Sequence, residues 1–169
     1  MRLNKLELAR FRQKCLSLNC ASRDIEALIE LWLDAHYSFT EFFRGIPQEL
    51  LEKPFDTDGT TVLAVGAHVM GSALLDVAWC LKTAGLPVPD CELETCKAIQ
   101  ANTRPLITRN EVLQEANRLT EIVPPALAPL TSEKIYQHEP GSMSPELILE
   151  HAIVHFYRHR RQLDTRLHF

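Results

Sequence analysis

The stretch that decides the fold is SRDIEALIELWLDAHYSFTEFFRG, residues 22–45, where apolar residues recur at three- and four-residue spacings. This spacing places them on one face of a helix. Ser22 is a suitable N-cap, and Gly45 followed by Pro47 can end the helix. The sequence therefore predicts a long amphipathic helix, with the apolar face made by Ile25, Leu28, Ile29, Trp32, Phe39, Phe42 and Phe43.

A second helix follows a turn-rich segment. Thr60 or Thr61 can cap it, and it runs through VLAVGAHVMGSALLDVAWCLKTAG to Gly85. Residues 86–107 contain three prolines and scattered polar residues, a pattern that favours a long connection without a regular element.

Two further helices have clear start signals. Thr108 and Glu111 form a capping-box pattern, and the proline pair at residues 124–125 must kink or stop the helix that begins there. Ser144 followed by Pro145 predicts the start of a last helix, since proline is favoured at the first helical position.

Four long helices with short and long connections predict an all-α fold of the four-helix bundle type. Residues 3–18 predict an additional N-terminal helix. We therefore expect residues 1–169 to form a single domain, with an N-terminal helical extension at 1–21 and the four-helix bundle at 22–165.

Charge and composition narrow the class of partner. The net charge of −4 and the pI near 6.0 argue against a nucleic-acid partner, which would need a clustered basic face. An odd number of cysteines, five, fits ordinary reduced thiols rather than a disulfide framework or a zinc-cysteine site. The sequence shows neither the features of a secretory signal nor an apolar run of about 18 residues. We therefore expect a cytoplasmic protein with no membrane partner.

The last helix carries His151, His155 and His159 at four-residue intervals in EHAIVHFYRHRRQL, residues 150–163. Two neighbours in this row can share one metal ion, but the outer pair is about 12 Å apart along the axis. Further ligands must come from a facing helix. His68 on the second helix is the candidate, because it lies on a helix face of small, mostly apolar residues that is expected to point into the core. Tyr157 lies on a different face and is expected to serve packing.

Neutral imidazoles bind Zn, Ni, Fe or Cu, and three of them with an open position are typical of catalytic sites. Two alternatives stay open at this point. The ion could simply tie two helices together in a structural, stress-associated bundle, or the histidines could be core residues with hydrogen-bond partners and no metal.

The helix layout and the run HAIVHFYRHRRQL make the chain similar to the DinB/YfiT-like superfamily of metal-dependent bundles, over roughly residues 22–165. The last helix of that family carries H-x3-[HE]-x3-H-R-x-Q. Matched residue by residue, the resemblance implies that His68, His155 and His159 are the metal ligands and that His151 is a neighbouring acid, base or orienting residue in the pocket. Arg160 and Gln162 match the motif, whereas Arg161 stands where the family usually has Gly, and Thr60 where it often has Trp.

The resemblance also implies a function. Relatives include bacillithiol and mycothiol S-transferases and a mycothiol-dependent maleylpyruvate isomerase, so we expect one divalent ion, Zn or Ni, that activates water or a low-molecular-weight thiol. The expected partners are a small-molecule substrate and a second copy of the chain in a homodimer.

Overall fold

The computed structural model describes residues 18, 20–54, 56–101, 106–137 and 140–167. Within these ranges the chain is all-helical without a strand, which confirms the predicted all-α class. The predicted helix at 3–18 and most of the extension at 1–21 lie outside the described residues. The described residues form seven helices: α1 Arg23–Gly45, α2 Gln48–Leu51, α3 Val62–Thr83, α4 Asp90–Gln100, α5 Arg109–Leu127, α6 Ser132–Tyr136 and α7 Pro145–Leu167.

The four long helices α1, α3, α5 and α7 begin where the sequence predicts. At each start a hydroxyl oxygen accepts a hydrogen bond from a backbone N–H three residues later, which satisfies one of the exposed donors of the first turn. Thr61 rather than Thr60 caps α3. The four caps are Ser22 with Ile25 at 3.4 Å, Thr61 with Ala64 at 3.1 Å, Thr108 with Glu111 at 3.2 Å and Ser144 with Leu147 at 3.2 Å.

The expectation that residues 86–107 form a connection without a regular element is wrong, because α4 lies inside this segment. Its prolines flank the helix rather than interrupt it, with Pro89 at the position before the first helical residue. Asp90 and Glu92 lie in the first turn, where negative charge suits the helix dipole. Cys96 and Ile99 are buried, so packing against α3 stabilises a helix that is too short to be stable alone.

The proline pair at 124–125 does not stop α5 at once. Both prolines lie inside the helix, which ends two residues later at Leu127. Proline has a helical φ, so both residues fit the last turn, although neither can donate to the carbonyl four residues before it. The N–H of Ala128 then donates to the carbonyl of Pro124 at 3.0 Å and closes the helix.

The long helices pack as neighbours: α3 contacts α4, α5 and α7, and α1 contacts α5 and α7. A cluster of aromatic side chains fills the space between α1 and α7. The ring of Phe156 meets that of Trp32 edge-on, with centroids 5.6 Å apart, and its centroid lies 6.3 Å from that of Phe39. Gly66 lets α3 approach α1 closely, since a Cβ there would lie 2.5 Å from the ring of Phe43.

By length and composition, α3 could also cross a membrane, with a mean hydropathy of 1.6 over its most apolar window. The expectation that no apolar run approaches this length therefore does not hold for α3. In the structure 61% of that window is buried against other helices, which accounts for its apolar character.

Candidate metal centre

The structure brings the three predicted ligands together. His68 of α3 and the pair His155 and His159 of α7 point their Nε2 atoms at one another. The Nε2 atoms of His155 and His159 are 3.0 Å apart, and those of His155 and His68 are 3.3 Å apart. All three ligand atoms lie within 4.8 Å of one another, so this group can hold a metal ion.

Two glutamines fix the outer nitrogens of this group. Nδ1 of His68 lies 3.2 Å from Oε1 of Gln100, and Nδ1 of His159 lies 2.9 Å from Oε1 of Gln162. An amide oxygen only accepts hydrogen bonds, so in both rings Nδ1 carries the proton and donates it. The Nε2 of each ring is then an unprotonated lone pair directed into the cluster.

This arrangement fits a cation better than it fits three histidines alone. The two lone pairs of His68 and His159 both face His155, whose single proton can serve only one of them well. Two nitrogens bound to one ion at about 2.0–2.1 Å, with angles of about 90–110°, are about 2.9–3.4 Å apart. The separations of 3.0 and 3.3 Å fall in this range. They suit tetrahedral and octahedral ions alike and so do not separate Zn from Ni.

Burial favours the neutral form of His155 and His159. It lowers the pKa of His155 from its usual value to about 3, with further lowering by the neighbouring His159 and His68. Burial likewise lowers the pKa of His159, against a smaller opposing effect of the hydrogen bond to Gln162. Imidazoles that stay neutral at pH 7 are ready to bind a metal ion without first losing a proton.

His68 does not point into the core as expected. It is exposed, because the buried face of α3 is made by neighbours such as Val65 and Val69. Its ring instead forms part of the wall of an open cleft of about 410 Å³ between α3, the end of α4 and the start of α5. Apart from Thr61, His68 and Gln100, this cleft is lined by apolar side chains: Leu63, Ala64, Ala67, Ile99, Leu106 and Ile107.

His151 lies outside the three-nitrogen group, one turn before His155, with the two rings nearly parallel and their centroids 6.0 Å apart. Its Nδ1 is 3.4 Å from a carboxylate oxygen of Asp76 on α3. Burial raises the pKa of Asp76, and the nearby His151 partly offsets this. Sequence reasoning missed Asp76, which lies eight residues after His68, a little over two turns further along α3.

Other sequence candidates lie away from the centre. Tyr157 donates a hydrogen bond to Asp34 of α1 at 2.9 Å, which agrees with the packing role predicted for it. Arg160 donates to Ser38 and stacks over Phe42 at 5.8 Å, so this motif residue ties α7 to α1.

Cys80 and Cys96 are not ligands of this centre. Burial raises the pKa of Cys80 to about 12 and that of Cys96 to about 11, so both thiols stay protonated. Cys96 belongs to a separate buried cluster in which Nε of Arg118 donates to Glu115 at 2.9 Å. Cys96 therefore links α4 to α5 through its contacts with Glu115 and Arg118.

Comparison with known proteins adds no relative. No protein-family model matches the chain, and no curated protein or solved structure is significantly similar to it. What can be said of the centre therefore rests on the geometry of the described residues.

Proposed function

We propose that the chain binds one divalent ion, Zn²⁺ or Ni²⁺, through Nε2 of His68, His155 and His159, and uses it as a metal-dependent enzyme of the DinB/YfiT-like type. The observation that carries the proposal is the convergence of these three nitrogens, two of them with their outer nitrogen bonded to an amide oxygen. Nothing else that the structure describes uses these lone pairs.

The helix packing supports a four-helix bundle of that type. The contacts α1–α7, α7–α3, α3–α5 and α5–α1 form a closed ring of neighbours among the four long helices. The ligands come from α3 and α7, which are adjacent in this ring. Side chains from facing helices are the usual source of metal sites in bundles.

A bound ion would lower the pKa of a coordinated water or low-molecular-weight thiol and so supply a nucleophile at neutral pH. Among the residues that the structure describes, three imidazoles and no carboxylate or thiolate converge here, which leaves the full charge of the ion to act on the fourth ligand. We assign proton transfer to His151, because its Nδ1 faces Asp76 and this contact orients the ring.

The cleft favours a reaction over a purely structural role for the ion. A structural zinc site is usually closed by four protein ligands, whereas three converge here among the described residues, and one of them, His68, lies in the wall of an open space of about 410 Å³. That volume is large enough for a small molecule. Its mostly apolar lining suits a substrate with an apolar body.

The test is turnover by metal-loaded protein against a panel of thiol-electrophile pairs and small esters. We expect His155→Ala to lose both metal and activity. His151→Asn is expected to retain the metal and to lower kcat by about 100-fold or more, as loss of a general acid or base does. Full metal occupancy without turnover of any thiol or ester would favour the structural alternative.

A further inference from the structure

The carboxyl-terminal end of α4 reaches the metal centre through one side chain. Gln100, the last residue of α4, is half-buried and places its Oε1 3.2 Å from Nδ1 of His68. Its Nε2 donates to Oγ of Ser72. His68 and Ser72 are four residues apart on α3, so one amide spans two successive positions on the same helix face.

A glycine makes this approach possible. A Cβ at Gly71 would lie 3.1 Å from the Cγ atom of Gln100, 3.1 Å from the Cγ2 atom of Ile99 and 3.2 Å from the backbone nitrogen of Gln100. These separations are shorter than ordinary van der Waals contact, so α4 packs closely on α3 at a position that has no side chain. The close packing holds the backbone of Gln100 beside His68.

We propose that Gln100, resting on the metal site proposed above, is the positioning residue that sets the tautomer and ring orientation of His68 and thereby the metal affinity. In the structure the NH₂ group of Gln100 donates to Ser72, and the amide oxygen faces His68. The oxygen accepts from Nδ1–H and leaves the lone pair on Nε2, the atom that faces His155.

His159 has an equivalent partner in Gln162, but that contact is local to α7, between residues three apart. Gln100 is different because it comes from another helix, 32 residues away in sequence from His68. The metal affinity of the centre therefore depends on the docking of α4 onto α3.

The experiment compares Gln100→Leu and Gln100→Glu with the wild type and with Gln114→Leu, the same substitution at an exposed position of α5. Co²⁺ is titrated into metal-free protein and followed by its visible absorption. Loss of an outer hydrogen bond to a ligating histidine typically costs about 10–100-fold in affinity, and we expect this for Gln100→Leu. Gln100→Glu keeps an acceptor facing Nδ1 and is expected to restore most of the affinity.

A second readout does not need the metal. In metal-free protein at pH 8, ¹⁵N chemical shifts of the His68 ring report which nitrogen carries the proton. We expect the Nδ1–H form in the wild type and in Gln114→Leu, and a shift toward Nε2–H in Gln100→Leu.

The outcomes separate the two proposals. If the wild type binds Co²⁺ and Gln100→Leu binds it equally well with an unchanged His68 tautomer, the role given to Gln100 is wrong and the metal site stands. If the wild type binds no Co²⁺, the proposed function fails, and an unchanged tautomer in Gln100→Leu would also overturn the role of Gln100.

Discussion

At the scale of single residues, the most unusual group outside the metal centre is His36. It is 2% exposed, its ring stacks on Trp32 at 5.0 Å, and it meets Phe156 edge-on at 5.3 Å. Neither ring nitrogen forms a hydrogen bond of ordinary geometry with the described residues, although the backbone of Ala116 lies close by. Burial lowers the pKa of His36 to about 4, so the folded chain holds it neutral.

This residue makes stability depend on pH. The unfolded chain binds a proton at His36 near pH 6.5, whereas the folded chain does so only near pH 4. Above about pH 6.5 His36 is neutral in both states and does not lower the stability of the fold. As the pH falls from there to about 4, the unfolded chain gains a proton that the folded chain does not, and about 3 kcal/mol of the free energy of unfolding is lost. We expect His36→Phe, which keeps a ring against Trp32, to remove this part of the pH dependence.

Urea unfolding of metal-free protein at pH 7 and pH 4.5 measures the effect, with wild type and His36→Phe compared at both values. His155 and His159 titrate in both proteins, so their contribution cancels in the comparison. An equal loss of stability between the two pH values in both proteins would contradict the account.

A second residue-scale prediction concerns Gly66. Gly66→Ala places a methyl group 2.5 Å from the ring of Phe43 in the core, which cannot move away freely. We expect overpacking to lower the free energy of unfolding by about 1–3 kcal/mol. Gly45→Ala is the control, because a Cβ there meets nothing within 4 Å; chemical denaturation of the two variants should give clearly different midpoints.

At the scale of elements, helix starts were the most predictable feature. A capping hydroxyl and the first turn it serves are adjacent in sequence, so Ser22, Thr108 and Ser144 could be read directly. The existence of α4 could not, because its stability comes from burying Cys96 and Ile99 against α3, a contact that local propensity does not contain.

The contrast between local sequence signals and contacts between helices also explains what could be predicted of the site. His68, His155 and His159 were chosen from helix spacing together with a family resemblance. Gln100 and Asp76 could not be chosen, because each contacts its histidine across two helices and neither matches a short pattern. His68 was assigned to the core because its neighbours in sequence are apolar, yet it lies at the rim of a cleft.

The α5 capping box gives a prediction at this scale. Thr108 accepts from the N–H of Glu111, and a side-chain oxygen of Glu111 accepts from the N–H of Thr108 at 2.8 Å. We expect Thr108→Ala to cost about 1 kcal/mol of unfolding free energy, since one capping bond is lost. Thr108→Ser keeps the hydroxyl and should lie close to the wild type; equal destabilisation by both changes in thermal unfolding would show that the cap is not the cause.

At the scale of the whole molecule, metal binding and folding are linked. The ligands lie on α3 and α7, so an ion bound to the folded chain holds the two helices together and does not bind the unfolded chain in the same way. At a free Zn²⁺ concentration 100 times the Kd, we expect about 2.7 kcal/mol of added stability, or a rise in Tm of about 5–10 °C. Differential scanning calorimetry with Zn²⁺ and with a chelator measures it, and identical Tm values in His155→Ala under both conditions are the control.

The most direct test of the central claim is the metal content of untagged protein, measured by mass spectrometry for wild type, His155→Ala and His151→Ala. The account predicts about one Zn or Ni ion per chain in the wild type and in His151→Ala, because His151 lies outside the group of three nitrogens. It predicts no stoichiometric metal in His155→Ala. A wild type purified and reconstituted without stoichiometric metal, or a His155→Ala variant that binds as much as the wild type, would contradict it.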